Sequence, residues 1–371
     1  MRFLLLLIFV SLIGPSALAQ KQPSTDKVEK FIDAFAQEQA ENFQIPGLAI
    51  GVIRNGEVIY AKALGVQSMG TKAPLTNKSL FHMASVSKPF VATAMVIAEA
   101  EGHLNLDDKL VKHLPYFKMA SPEYQDITLR QMLAHTSGIP DVEDYDWGNP
   151  DASDAAVEAY SKSFAETKLD FTPSSSYSYS NAAFDILADV IAKTTGMTFE
   201  QYVEKRILRP AGMQESNFSK LAIDPEYATA SHIPNQQLAL DVNPVYPYNR
   251  IHAPSSSLHA NVEDMLRWGQ LYLGKGSIDG NTIFTPSQYA ALTTSNNKFE
   301  SKPNVCLSWF KGTAFGDDYY YHSGGDPGFS THFAFIPARG FAIMVMANND
   351  IVSASSLAGI IIRYTLKKQK R

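Results

Sequence analysis

Ser85-Val86-Ser87-Lys88 places a serine and a lysine three residues apart at the head of an apolar run. The stretch that follows, Ala92-Thr93-Ala94-Met95-Val96-Ile97-Ala98, reads as a buried helix. Positions i and i+3 share one helical face, so the Lys88 amine can reach the Ser85 hydroxyl. A serine hydroxyl is a weak nucleophile until a neighbouring base takes its proton. The same spacing recurs at Ser24–Lys27, Ser295–Lys298 and Ser308–Lys311, so context must single out Ser85. Ser24 lies beside an expected processed terminus, Ser295 in an Asn-rich loop and Ser308 in an expected strand. At the start of a buried helix, unpaired N–H groups and the positive dipole end favour developing negative charge. The Ser85 N–H is therefore a candidate oxyanion donor. The competing reading is an ordinary N-cap serine with a solvated lysine.

Around this stretch the chain divides into strand-rich ends and a helical middle. Residues 28–43 have helical periodicity, with Val28, Phe31, Ile32 and Phe35 facing inward. Residues 48–54 and 57–64 are β-rich runs joined by Asn55-Gly56, which favours a type I′ hairpin. Residues 331–337 and 341–348 form a second pair around Ala338-Arg339-Gly340, and the latter run is apolar enough to be buried on both faces. Residues 355–367 read as a closing helix. The expected fold is α/β (α+β): an antiparallel sheet from the N- and C-terminal segments, covered by helices, with a mostly helical insert over roughly 81–276. Long loops at 139–153 and 235–257 are rich in Pro, Asp, Asn, Ser and aromatics, as site-shaping loops often are.

The 371 residues carry a formal charge of -5, with 45% hydrophobic and 19% charged residues. There is no basic stripe, which argues against nucleic acid as a partner. Arg2, the apolar residues 3–13 and Ala17-Leu18-Ala19 read as a secretory signal over 1–19, leaving one domain over 20–371 in a periplasmic or extracellular space. The apolar run is short for a membrane anchor. Cys306 is the single cysteine, so no intrachain disulfide is possible, and it reads as a core residue.

Two further motifs could complete a site. Tyr179-Ser180-Asn181 is the one Tyr-x-Asn of the chain and precedes an amphipathic run over 182–193. Beside an ammonium a phenol is more acidic than usual, which suits a proton shuttle, and Asn181 can hold Lys88 or a substrate amide. His322-Ser323-Gly324-Gly325 ends a run from Tyr319 that reads as an edge strand. Its glycines let a substrate lie against the backbone, with the Gly325 N–H as a second oxyanion donor. His322 would offer partial positive charge to a substrate carboxylate, so such affinity should weaken as pH rises through neutrality.

Taken together, Ser85-x-x-Lys88, Tyr179-x-Asn181 and His322-Ser323-Gly324 resemble the signature of the serine β-lactamase-like hydrolases. That family includes class C β-lactamases, D-alanyl-D-alanine carboxypeptidases, D-aminopeptidases and related esterases. Ile45-Pro46-Gly47-Leu48-Ala49, Leu104-Asn105-Leu106-Asp107-Asp108, Leu133-Ala134-His135-Thr136-Ser137-Gly138 and Pro210-Ala211-Gly212-Met213 look like it too. The resemblance implies Ser85 as the acylated nucleophile, Lys88 as its activator and Tyr179 as the acid or base serving the leaving group. Asn181, His322, Ser323, Gly324 and Gly325 are then substrate-binding. It implies a small-molecule or peptide substrate, with or without a carboxylate, and no cofactor. A His-containing triplet is more usual in the peptidase-like members than in β-lactamases. The expected activity is therefore peptidase- or esterase-like, with a class C-type β-lactamase as one alternative and a penicillin-binding or receptor-like module with little turnover as another.

Other signals are weaker. Gly269-x4-Gly274-Lys275 has Gly276 where a phosphate loop needs Ser or Thr. Nine histidines form no ligand-like cluster, so no metal is expected. His135 reads as a group holding a turn rather than a catalytic base. Tyr246-Pro247-Tyr248 reads either as cleft lining or as a rigid aromatic loop.

Overall fold

The computed structural model describes residues 22–296, 299 and 302–367. The expected signal over 1–19 lies outside them, as does Lys298. Six strands form one antiparallel sheet: β1 (Gly47–Arg54), β2 (Glu57–Gly65), β3 (Phe310–Ala314), β4 (Asp317–Asp326), β5 (Phe329–Ile336) and β6 (Phe341–Ala347). Their order is β2-β1-β6-β5-β4-β3. The two ends of the chain meet at β1 and β6, where Leu48 pairs with Ala347 and Ile53 with Ala342. Both strands are buried at every position, which explains their nearly unbroken apolar sequences, interrupted only by Arg54 at the end of β1. At the β1–β2 turn Asn55 and Gly56 have φ of 56° and 81°, the two positive values a type I′ turn requires.

Helices α1 (Thr25–Asn42) and α5 (Ala354–Leu366) cover one face of the sheet, packing Val28, Ile32 and Ile361 around Ile50 and Ile343. Phe31, expected in this core, is only half-buried; its ring stacks on Tyr364 at 3.7 Å. The other face carries α2 (Lys88–Ala100), α3 (Asn181–Thr195) and α4 (Val262–Leu273). Although α4 falls within the expected insert, it packs on β1 and β6, while Trp268 stacks on Phe90 of α2 at 3.7 Å. Helical structure also runs past 276, through Pro286–Thr293.

Two expectations are corrected here. The run ending at His322 is not an edge strand, because β4 lies between β5 and β3 and continues to Asp326. However, β3 pairs only with Asp317 to Tyr321. From His322 onward β4 pairs with β5, and its other side carries no strand among the described residues. Ser308 precedes β3 rather than lying in a strand, and Lys311 pairs with Asp318 at 2.9 Å. Cys306 is buried as expected, its thiol donating to the Thr293 carbonyl at 3.2 Å. Among the described residues no helix is long and apolar enough to cross a membrane.

Gly51 sets how closely α4 approaches the sheet. A Cβ there would lie 2.9 Å from Leu266 Cγ and from Val262 Cγ2. Gly51→Val is expected to lower unfolding free energy by about 1–3 kcal/mol through overpacking. Urea unfolding checks this, and an unchanged midpoint would mean that α4 does not bear on β1.

Candidate active site

From position 79 to position 98 every residue is buried except Ser85. Ser85 lies in a single 3-10 turn, Ala84–Ser87, and α2 begins only at Lys88. It thus stands ahead of the α-helix and makes no N-cap for it. Ala84 has a φ of 47°, a left-handed value that disfavours residues with a side chain. The surroundings fix this strained turn. Met83 N–H donates to Leu258 O at 2.8 Å, Leu258 N–H to Ser87 Oγ at 2.9 Å, and Thr331 Oγ1–H to Met83 O at 2.7 Å. Strain persists where neighbours over-determine it, and such places cluster at functional sites.

Lys88 is wholly buried, and its three ammonium protons have three acceptors. Nζ donates to Ser85 Oγ at 3.0 Å, to Asn181 Oδ1 at 2.5 Å and to the Ser255 carbonyl at 2.8 Å. Burial pulls the amine down to about 8, opposed first by the charge of Asp185, then by those of Asp326 and Asp141. Asn181 is itself oriented: its Nδ2 donates to Asp141 Oδ1 at 3.0 Å, and its backbone N–H to the same oxygen at 2.6 Å. The buried amine is thus within proton-transfer distance of the Ser85 hydroxyl. The solvated-lysine reading is therefore discarded.

Tyr179 meets Lys88 with its ring face, the centroid 4.9 Å from Nζ. Burial pushes its phenol well above the ordinary value, while hydrogen bonding with the Ser85 side chain pulls the other way. The sequence reading had the ammonium making this phenol more acidic. Burial wins instead, so Tyr179 rests as a proton donor. His135 holds the turn behind it: Ser180 N–H donates to His135 Nδ1 at 3.1 Å, and the imidazole stacks on the Tyr179 ring at 4.3 Å. Burial, together with repulsion from Lys88, keeps His135 neutral.

His322 lies on β4 with its ring centroid 6.4 Å from that of Tyr179. It is buried, and burial and Lys88 depress it to about 3. Its Nδ1–H donates to the Ser323 carbonyl at 2.8 Å, leaving Nε2 as a neutral acceptor with no partner among the described residues. The expected positive charge is thus absent. A Cβ on Gly324 would lie 2.4 Å from Met83 O and 3.0 Å from Ala84 Cβ, so only glycine lets β4 lie against the Ser85 turn. Gly325 has open space beside it. Ser323 alternates to the opposite face of β4 from His322, and its hydroxyl meets His332 Nδ1 at 2.8 Å. Beyond Gly325, Asp326 Oδ2 lies 2.7 Å from His82 Nε2, tying the end of β4 to the segment leading into Ser85.

Three groups that serve this site escaped the sequence reading. The Ser255 carbonyl is backbone and leaves no signature. Asp141 lies in the Pro- and Asp-rich loop singled out at 139–153, but its pairing with Asn181 spans 40 positions. Asp185, on the helix after Tyr-x-Asn, stands where periodicity alone marks a core face. Among the described residues no group of three or more His, Cys, Asp or Glu could hold a metal ion.

The Beta-lactamase family model matches residues 32–361, and the chain belongs to that family of serine hydrolases. It is 26% identical over 335 residues to Protein flp of Staphylococcus aureus (strain MW2), spanning 87% of this chain and 64% of that protein. It is 31% identical over 203 residues to Penicillin-binding protein 4* of Bacillus subtilis (strain 168), which covers 53% of this chain and 43% of that protein. Among solved structures, the octameric penicillin-binding protein homologue from Pyrococcus abyssi aligns with a TM-score of 0.78 at 24% identity, over 92% of this chain and 78% of that one. SurE aligns with the same score at 20% identity, over 92% and 76%. The architecture is that of the family.

Three outcomes follow from this geometry. A protonated Lys88 cannot accept the Ser85 proton, so acylation should rise with pH through about 8. His322 is already neutral above about 3, so KM should stay level from pH 6 to 8.5, and a KM climbing over that range would restore the charged-histidine expectation. Gly324→Ala should lower kcat/KM by about 100-fold or more by pushing β4 off the turn, whereas Gly325→Ala should cost far less. Equal losses in the two variants would contradict the close-contact argument.

Proposed function

We propose that the protein is an exported serine hydrolase that cleaves amide or ester bonds through an acyl-enzyme on Ser85, in the manner of peptidases and esterases. The observation that carries this reading is the 3.0 Å contact between Ser85 Oγ and a buried Lys88 amine lowered to about 8. In its neutral form Lys88 takes the Ser85 proton while Oγ bonds to the substrate carbonyl carbon. The oxyanion forms between the Ser85 and Gly325 N–H groups. Tyr179 O–H then protonates the departing nitrogen or oxygen, the scissile bond breaks, and the phenol regains its proton from Lys88. Water adds to the ester by the same groups in reverse roles and releases Ser85.

A neutral His322 supplies no cation for a substrate carboxylate, which favours uncharged groups at that position and counts against efficient hydrolysis of β-lactams. A penicillin-binding reading has one point in its favour, the likeness to Penicillin-binding protein 4*. Export rests on the leader-like sequence over 1–19.

Purified protein treated with a fluorophosphonate probe, a fluorescent penicillin and p-nitrophenyl acetate separates these readings. The hydrolase reading expects fast fluorophosphonate labelling and ester turnover, both lowered by about 10⁴-fold or more in folded Ser85→Ala. Stable penicillin labelling with no ester turnover would favour the binding module. Turnover that survives in Ser85→Ala would remove Ser85 as nucleophile.

A further inference from the structure

A buried acid–imidazole pair lies behind Lys88 and takes no part in the steps above. Asp185 on α3 is 1% exposed and His252 is 3% exposed. Asp185 Oδ2 lies 2.7 Å from His252 Nδ1, and its Oδ1 accepts the Ser255 N–H at 3.1 Å. The Ser255 carbonyl in turn accepts from Lys88 Nζ at 2.8 Å. One carboxylate therefore pins the backbone segment that holds the amine. His252 is packed edge-on by Tyr145 at 4.7 Å and by Tyr160 at 5.4 Å, which leaves it little room to move.

Burying a carboxylate in a layer of helices is costly, and an apolar pair of similar volume would often serve stability as well. We infer that Asp185 and His252 are positioning residues for Lys88: the pair fixes the Ser255 carbonyl that keeps the amine against Ser85, and the Asp185 charge faces that amine. This inference rests on the proposed role of Lys88 as the base.

The amine is faced from every side. Asp185 comes from α3, Asp141 from the 139–153 loop and Asp326 from β4, and all three favour its charged form, Asp185 most. His135 and His322 also face it and are themselves held neutral partly by its charge. Tyr179 covers it with a ring face. Removing the Asp185 charge must then favour the neutral amine, so the rise of acylation with pH should move below the wild-type midpoint.

The test is the rate of inactivation by a fluorophosphonate probe from pH 6 to 10 for the wild type, Asp185→Asn, Asp185→Ala and His252→Gln. Asparagine keeps an acceptor for Ser255 but no charge, so its midpoint should fall by half a unit or more, with a modest loss of plateau rate. Alanine should show the same shift and a plateau about 10- to 100-fold lower, because the amine is misplaced. His252→Gln keeps the charge and loosens the clamp, so its plateau should fall with the midpoint unmoved. A purely structural role would lower plateaus and shift none of them. An Asp185→Asn midpoint equal to the wild type overturns the inference alone. If the Asp185 variants do not fold, a His252→Gln plateau equal to the wild type overturns it as well. A wild type that never reacts overturns the hydrolase reading, and this inference with it.

Discussion

An ammonium group without access to water can exist only where the protein replaces its hydration, and the rest of this structure is arranged around that demand. Desolvating one charge costs several kcal/mol, and it is offset only by well-placed acceptors. The three acceptors of Lys88 come from positions 85, 181 and 255, which belong to the Ser85 turn, the start of α3 and a short helix, Ala253–Ser256, ahead of α4. The amine therefore ties separate parts of the helical layer to Ser85, the one residue of an otherwise buried stretch that is only partly covered. Because burial also weakens its hold on the proton, the device that organises the site also readies the amine to give that proton up.

The same low-dielectric environment sorts the other titratable groups. Tyr179 retains its proton, and His135 and His322 stay unprotonated. The site is then built of a serine, a phenol donor, a neutral buried imidazole and backbone N–H groups, with one strained turn and one glycine strand holding them in register. For the hydrolase proposed above, such a surface suits neutral acyl groups, selected by shape and hydrogen bonding rather than by charge.

Much of this was legible in the residues. Unbroken apolar runs at 48–53 and 341–347 gave away the central strands, because burial on both faces removes the polar alternation. Asn55-Gly56 specified its turn because both positions need positive φ. Ser85, Lys88 and Tyr179 could be picked out because the chemistry proposed for them requires those residue types at fixed offsets, and the fold brings the three side chains together. The misread acidities share one cause, which is that a sequence does not display burial depth. His322 and Tyr179 were assigned acidities from their neighbours, while desolvation, which outweighs those neighbours, depends on how many layers cover them. Likewise β4 passed for an edge strand because β3 lies outside its N-terminal half only. The clamp of Asp185, His252 and Ser255 was hidden because two of its links run through backbone atoms or span about 70 residues.

The central claim is that Lys88 carries a proton it can give up near neutrality. Nitrogen-15 NMR of lysine side chains across pH 6 to 11, with the Lys88 signal assigned by its loss in Lys88→Met, measures this without any substrate. The account predicts a midpoint near 8 for Lys88, against the ordinary range above 10 for exposed lysines. A Lys88 signal that titrates with the exposed lysines would contradict it.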